Sequence, residues 1–145
     1  MRFETFFLRS GMVMLVGTAV AKLFSATGDA PVQFLPDPLL GLANRHVLIG
    51  VASVELAVAA VLGSPVAARL KYLLTAWLAA NFLLYRVAFY WMNPGKVCPC
   101  LGNLTQRLGL NPNQVSWVLW GVVIYLLAGS LWSLRRLPSP SASSS

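Results

Sequence analysis

Four long apolar runs constrain this chain more than any other feature. They occupy residues 5–26, 45–62, 68–92 and 114–134. Each is close to the ~20 residues that a helix rising 1.5 Å per residue needs to cross ~30 Å of hydrocarbon. Backbone polar groups in lipid must be satisfied within the segment, so runs of this length predict helices. The expected fold is all-α: an integral membrane four-helix bundle over residues 1–137. A disordered tail, "PSPSASSS", is expected at 138–145.

Composition agrees. Hydrophobic residues make up 57% of the chain and charged residues 10%. Soluble domains average nearer 45–50% and roughly 25%. Too few charges remain to cover a water-facing surface, so the expected partner is membrane lipid. The formal charge of +7 does not imply nucleic acid, because the basic residues stand singly or in pairs near the ends of the runs. That is where membrane helices place them.

The punctuation fits four spans. Pro36, Pro38 and Gly41 separate the first two runs, "GSP" at 63–65 separates the second and third, and Pro94-Gly95 stops the third. Asn111-Pro112 opens the fourth, a capping residue followed by proline where its missing N–H is harmless. "NLTQRLGL" at 103–110 reads as a short interfacial helix. The first run also has features of a signal peptide, with "GDA" at 28–30 as a cleavage site. Lys22 interrupts it and Pro31 follows the cut, so it is expected to be retained.

Basic residues set the orientation. Arg2, Arg9, Arg69, Lys71, Arg135 and Arg136 fall on one side, against Arg45, Lys96 and Arg107 on the other, along with Asp29 and Asp37. Both termini are therefore expected in the cytoplasm. The loop "KVCPCLGNL" at 96–104 then faces outward, toward the periplasm of a bacterial inner membrane.

That loop holds both cysteines, Cys98 and Cys100, with Pro99 between them. Three readings compete. They are unremarkable thiols, a metal site, or a redox-active dithiol. Structural zinc wants four Cys or His ligands, and the chain offers these two cysteines and His46 from another segment. No metal site is expected within one chain, although two thiolates suit transient copper. Haem is disfavoured, since a single His46 cannot supply two axial imidazoles. A turn brings residues two apart into the Cα window for a disulfide. Pro99 fixes one dihedral and keeps the thiols close. So small a ring staples almost nothing, because stabilisation grows with loop length. A disulfide here serves chemistry better than structure.

Charge inside the membrane is the second signal. Lys22, Glu55 and Arg86 lie in the first three runs. All three are expected in the half of the bilayer nearest the cysteines. Intramembrane ions usually face the bundle interior and pair. Glu55 is the one acid among them, the partner for Lys22 or for Arg86. They read as a polar pocket that binds a quinone head group or tunes the thiols, with Asn81, Tyr85, Tyr90 and Trp91 as candidate lining. The opposing reading has Lys22 and Arg86 snorkelling to the surface and Glu55 locking helices together.

Three stretches together resemble the MauE/DoxX-like family of redox-associated membrane proteins, the methylamine-utilisation MauE type in particular. They are "GTAVAKLF" in the first run, "VELAVAAVLG" in the second and "CPCLGN" after the third. Proline stands here between the cysteines, and leucine replaces that family's phenylalanine. The resemblance implies a four-helix inner-membrane protein that helps mature a disulfide-rich exported protein, or that takes part in thiosulfate or quinone oxidoreduction. It also implies Cys98 and Cys100 as the redox pair and Lys22 and Glu55 as a buried polar pair.

Two functions follow as expectations. One is a membrane thiol–disulfide or electron-transfer component, oxidising an exported thiol protein with quinone as acceptor. The other is a non-enzymatic scaffold or assembly subunit of a larger redox complex. Orientation is directly testable. A membrane-impermeant thiol reagent should label reduced Cys98 and Cys100 from the periplasmic side of intact cells. Labelling only after lysis would reverse the assignment.

Overall fold

A computed structural model describes residues 2–28, 31–95 and 109–137. The side chains of residues 2, 3 and 32 are not among those described. Cys98 and Cys100, residues 103–108 of the expected interfacial helix and the expected tail at 138–145 lie outside these residues.

The described residues form four α-helices: α1 (Arg2–Ala26), α2 (Asn44–Gly63), α3 (Ala68–Met92) and α4 (Pro112–Arg136). A short 3-10 turn, Pro31–Gln33, follows α1. The described residues contain no strand, only one isolated bridge between Pro36 and Ala43. All four helices are long and apolar enough to cross a membrane.

Local chemistry explains the ends. Lys71 Nζ donates to the Leu62 carbonyl at 2.9 Å, satisfying an orphan acceptor at the end of α2. Asn93 ends α3 because the residue before a proline avoids helical dihedrals. Gly95 then takes φ of +82°, which only glycine adopts without strain. Asn111 caps α4 by accepting from the Asn113 N–H at 3.0 Å. Pro112 occupies the first turn, as the sequence predicts.

The helices run up, down, up, down. Met12 lies against Gly63 while Lys22 meets Glu55, which fixes α1 and α2 as antiparallel neighbours. α1 packs closely on α2, and α3 on α4; the two pairs touch more sparsely. Buried Ala19, Ala52 and Ala59 let backbones approach on the α1/α2 side. Small residues serve this purpose in membranes, where lipid is as apolar as leucine and close packing must drive association. Leu15, Val58, Leu62, Leu78, Ala79 and Leu126 join the pairs at mid-height.

We call the end where α1 and α3 finish and α2 and α4 begin the loop end, and the other the terminal end. At the terminal end, Phe7 is fully buried against Tyr72 and Tyr125, with ring centroids 6.2 and 5.4 Å away. Its ring occupies the space that a side chain on Gly129 would need. A Cβ there would overlap the Phe7 ring, whereas one on Gly17 would meet nothing within 4 Å.

Gly129→Ala should therefore destabilise the bundle by about 1–3 kcal/mol, the usual range for overpacking. Gly17→Ala should be neutral or stabilising by up to ~1 kcal/mol, since alanine is the better helix former. Thermal unfolding of both variants in detergent checks the contrast.

Candidate functional site

Lys22 and Glu55 form the only ion pair among the described residues, with Nζ 2.7 Å from Oε1. Helix geometry brings them together. Lys22 lies four residues before the end of α1, at the loop end. Glu55 sits eleven residues into the 20-residue α2, slightly past the middle. Side chains lean toward the N-terminus of their own helix. On antiparallel helices that sends the lysine down and the glutamate up, and the two meet between.

The pair is sealed from its surroundings. Glu55 is 1% exposed and Lys22 7%. The ammonium also stands 5.4 Å from the centroid of the Phe82 ring, a cation–π distance. Thr18 Oγ1 lies 3.2 Å from the same carboxylate oxygen, but also 3.0 and 3.1 Å from the Met14 and Leu15 carbonyls. It has one proton for three acceptors, so Lys22 is the dependable partner. Glu55 Oε2 has no hydrogen-bond partner.

Arg86 is separate from this pair. It does not snorkel, being 5% exposed. Its Nη2 donates to Ser116 Oγ at 3.0 Å, and its guanidinium stacks 5.2 Å from the Trp120 ring centroid. Nη1 is buried without a partner. Of the two pairings open to Glu55, the structure takes Lys22, and Arg86 of α3 turns instead to Ser116 and Trp120 of α4.

All three charged residues line one cavity of about 350 Å³ between the helix pairs. Its walls are otherwise mostly apolar and aromatic, including Leu15, Val51, Trp77, Phe82 and Leu126. Asn81 and Tyr85 line it as the sequence suggests. Asn81 nevertheless spends its amide on the Trp77 carbonyl, 2.8 Å away. Tyr90 and Trp91 do not line it; they are 66% and 85% exposed near the end of α3. That position suits an interfacial aromatic belt. Exposed Gly50, Val54, Trp77 and Asn81 are among the lining residues, so the cavity opens sideways between α2 and α3.

The loop end closes over it. Asp37 is 2% exposed, and its Oδ2 accepts from the Tyr85 hydroxyl at 2.5 Å. Leu40, three residues on, reaches the cavity. Sequence reading treats Asp37 only as a charge on that side and passes over Thr18 and Ser116. Thr18 had a signal, standing four residues before Lys22 on the same helix face. Ser116 had none, since only the packing of α4 on α3 brings it to Arg86.

Fold and site together define a multi-pass membrane protein with a largely apolar pocket between two helix pairs, bearing three charged side chains. Family models, curated proteins and solved structures were all compared with the chain, and none matches it. Among the described residues no cluster of three or more His, Cys, Asp or Glu is placed to hold a metal ion.

Lys22→Met should destabilise the protein by about 3–5 kcal/mol, because it strands a buried carboxylate. Lys22→Met combined with Glu55→Leu should recover most of that loss, since removing both charges leaves nothing unpaired. Unfolding of the single and double variants in one detergent measures the difference.

Proposed function

We propose that this chain is a thiol–disulfide and electron-transfer component of a bacterial inner membrane. Cys98 and Cys100 form its redox pair on the periplasmic side, and the intramembrane pocket takes the head group of a quinone. The carrying observation is the pocket: one cavity lined by Lys22, Glu55 and Arg86 toward the end where the Cys98/Cys100 loop leaves α3. Its size and flat aromatic walls suit a small ring, and its lateral opening suits an isoprenoid tail. Lys22 and Arg86 are cations facing a ligand whose oxygens gain charge on reduction. The motifs resembling MauE/DoxX-like proteins point the same way.

The chemistry balances without a metal. A thiolate of an exported protein attacks the Cys98–Cys100 disulfide, forming a mixed disulfide and releasing one cysteine thiolate. A second thiolate of the exported protein attacks the mixed bond. The exported protein leaves oxidised, and Cys98 and Cys100 are left reduced. Two electrons and two protons then pass to the quinone, restoring the disulfide and giving a quinol. The chain has no second cysteine pair to relay them, so the handoff is direct or uses another protein.

In the single variants Cys98→Ser and Cys100→Ser the remaining thiolate should attack the disulfide of the oxidised exported protein, release one of its thiolates and stay trapped as a mixed disulfide, visible as a reductant-sensitive adduct. The double variant should lose oxidation of that protein entirely. Full function in the double variant would instead support the scaffold role. Arg86→Leu should keep the adducts of a single-cysteine variant while weakening quinone binding about tenfold or more. The tenfold figure corresponds to roughly 1.4 kcal/mol, just under the ~1.5–3 kcal/mol of a hydrogen bond to a charged group.

A further inference from the structure

The segment between α1 and α2 has an unusual surface for a loop. Over residues 31–42 the sequence reads "PVQFLPDPLLGL", with Gln33 and Asp37 as its two polar side chains. Both point inward. Gln33 is fully buried and its amide donates to the Ser25 carbonyl of α1. Asp37 is buried against Tyr85 of α3. Outward stand Phe34, Leu35, Leu40 and Leu42, each between 56% and 61% exposed. A loop in water normally presents the reverse arrangement.

Its backbone is also provided for. Asp37 N–H bonds the Leu42 carbonyl at 2.7 Å, and Asn44 N–H bonds the Leu35 carbonyl at 3.0 Å. Gly41 N–H reaches the Asp37 carbonyl at 2.8 Å, and Phe34 N–H the Pro31 carbonyl at 3.2 Å. The Leu39 and Leu40 N–H groups both donate to Asp37 Oδ1, at 2.9 and 3.1 Å. Pro31, Pro36 and Pro38 have no N–H to satisfy. Non-helical backbone at membrane depth is tolerated only when it finds partners in protein.

Depth completes the case. The segment is tied to α1 at the Ser25 carbonyl, one residue before that helix ends, and to α3 at Tyr85, seven residues before that helix ends. It stands beside the last turns of helices that themselves span. Exposed Arg45 follows in the first turn of α2, placed to snorkel to lipid phosphates.

We propose that residues 31–43 are a lipid-embedded cap. Phe34, Leu35, Leu40 and Leu42 insert at the boundary of head groups and acyl chains. Leu40 belongs to both the cap and the pocket wall, so the pocket mouth opens to the bilayer and not to water. The occupant of this apolar face is lipid. No charged side chain is exposed there to meet a polar partner, and the N–H groups of Phe34, Asp37, Leu39, Leu40 and Gly41 are bonded within the protein. The inference stands whether or not the pocket holds a quinone.

The test is spin-label accessibility on the full chain in lipid nanodiscs. Cysteine is placed singly at Phe34, Leu40 or Leu42, with Cys98 and Cys100 changed to serine. Ser53→Cys, exposed midway along α2, is the lipid reference, and Pro65→Cys, exposed in the terminal-end turn, the water reference. Labels on the cap should collide with oxygen more than with a water-soluble nickel chelate, as at position 53. A nickel-dominated profile like that at position 65 would overturn the proposal by placing the cap in water. Exclusion of both reagents would overturn it by placing the cap under another protein or a second copy. The three cap positions are read independently, so one misfolded variant leaves two. Quinone binding is measured separately on the unlabelled protein, which keeps a failed cap distinct from an empty pocket.

Discussion

The Lys22–Glu55 pair is the interaction on which the arrangement of this bundle turns. A lone ion at mid-membrane costs about 2.5–3.5 kcal/mol on insertion scales. Two that meet at 2.7 Å, sealed by Thr18, Phe82 and the packing of α1 on α2, avoid most of that penalty. The requirement is strict in register. Rotating α1 by one residue would carry Lys22 about 100° around the helix and leave Glu55 without a cation. The pair thus fixes the rotation and the relative height of α1 and α2 in a bundle whose apolar faces differ little from one another.

The rest of the architecture follows from that fixed pair. With α1 committed to α2, α3 and α4 make their own close pair, using Arg86, Ser116 and Trp120 at one end. Phe7, set into the space above Gly129, with Tyr72 and Tyr125 draws the two pairs together at the other end. The cavity is what lies between them nearer the loop end. It is a consequence of two tight hairpin-like pairs that meet loosely, and its polar atoms are those each pair could not satisfy fully within itself. Glu55 Oε2 and Arg86 Nη1 are of this kind. Such atoms are expected where function, and not packing alone, has selected the residues.

The segment between α1 and α2 has a matching role. At the loop end residues 31–43 turn their polar side chains inward, onto Ser25 of α1 and Tyr85 of α3. Asp37 does two jobs there, turning the chain through Leu39 and Leu40 and fastening it to Tyr85. Pocket, cap and the departure point of the Cys98/Cys100 loop are thereby gathered at one end of the molecule. That grouping is what connects a membrane-embedded pocket to chemistry at the membrane surface in the proposed function.

The sequence by itself determined the class of fold. Four apolar runs of spanning length admit little but helices, because lipid offers a backbone no other hydrogen-bond partner. Asn111-Pro112 and Asn93-Pro94 marked helix ends by local chemistry that needs no tertiary knowledge. The intramembrane position of Lys22, Glu55 and Arg86 was equally plain, since charges stand out against an apolar background. Their partners were not. Whether Glu55 takes Lys22 or Arg86 depends on which helices are neighbours and at what height, and apolar faces carry little information on either point. Tyr90 and Trp91 looked as eligible for the pocket as Asn81 and Tyr85, yet the turn of α3 sends them outward. Asp37 read as a solvent charge and Ser116 as nothing in particular. Only tertiary packing decided those roles, because they arise from residues 30 to 48 positions apart in sequence that meet through helix pairing and not through any local rule.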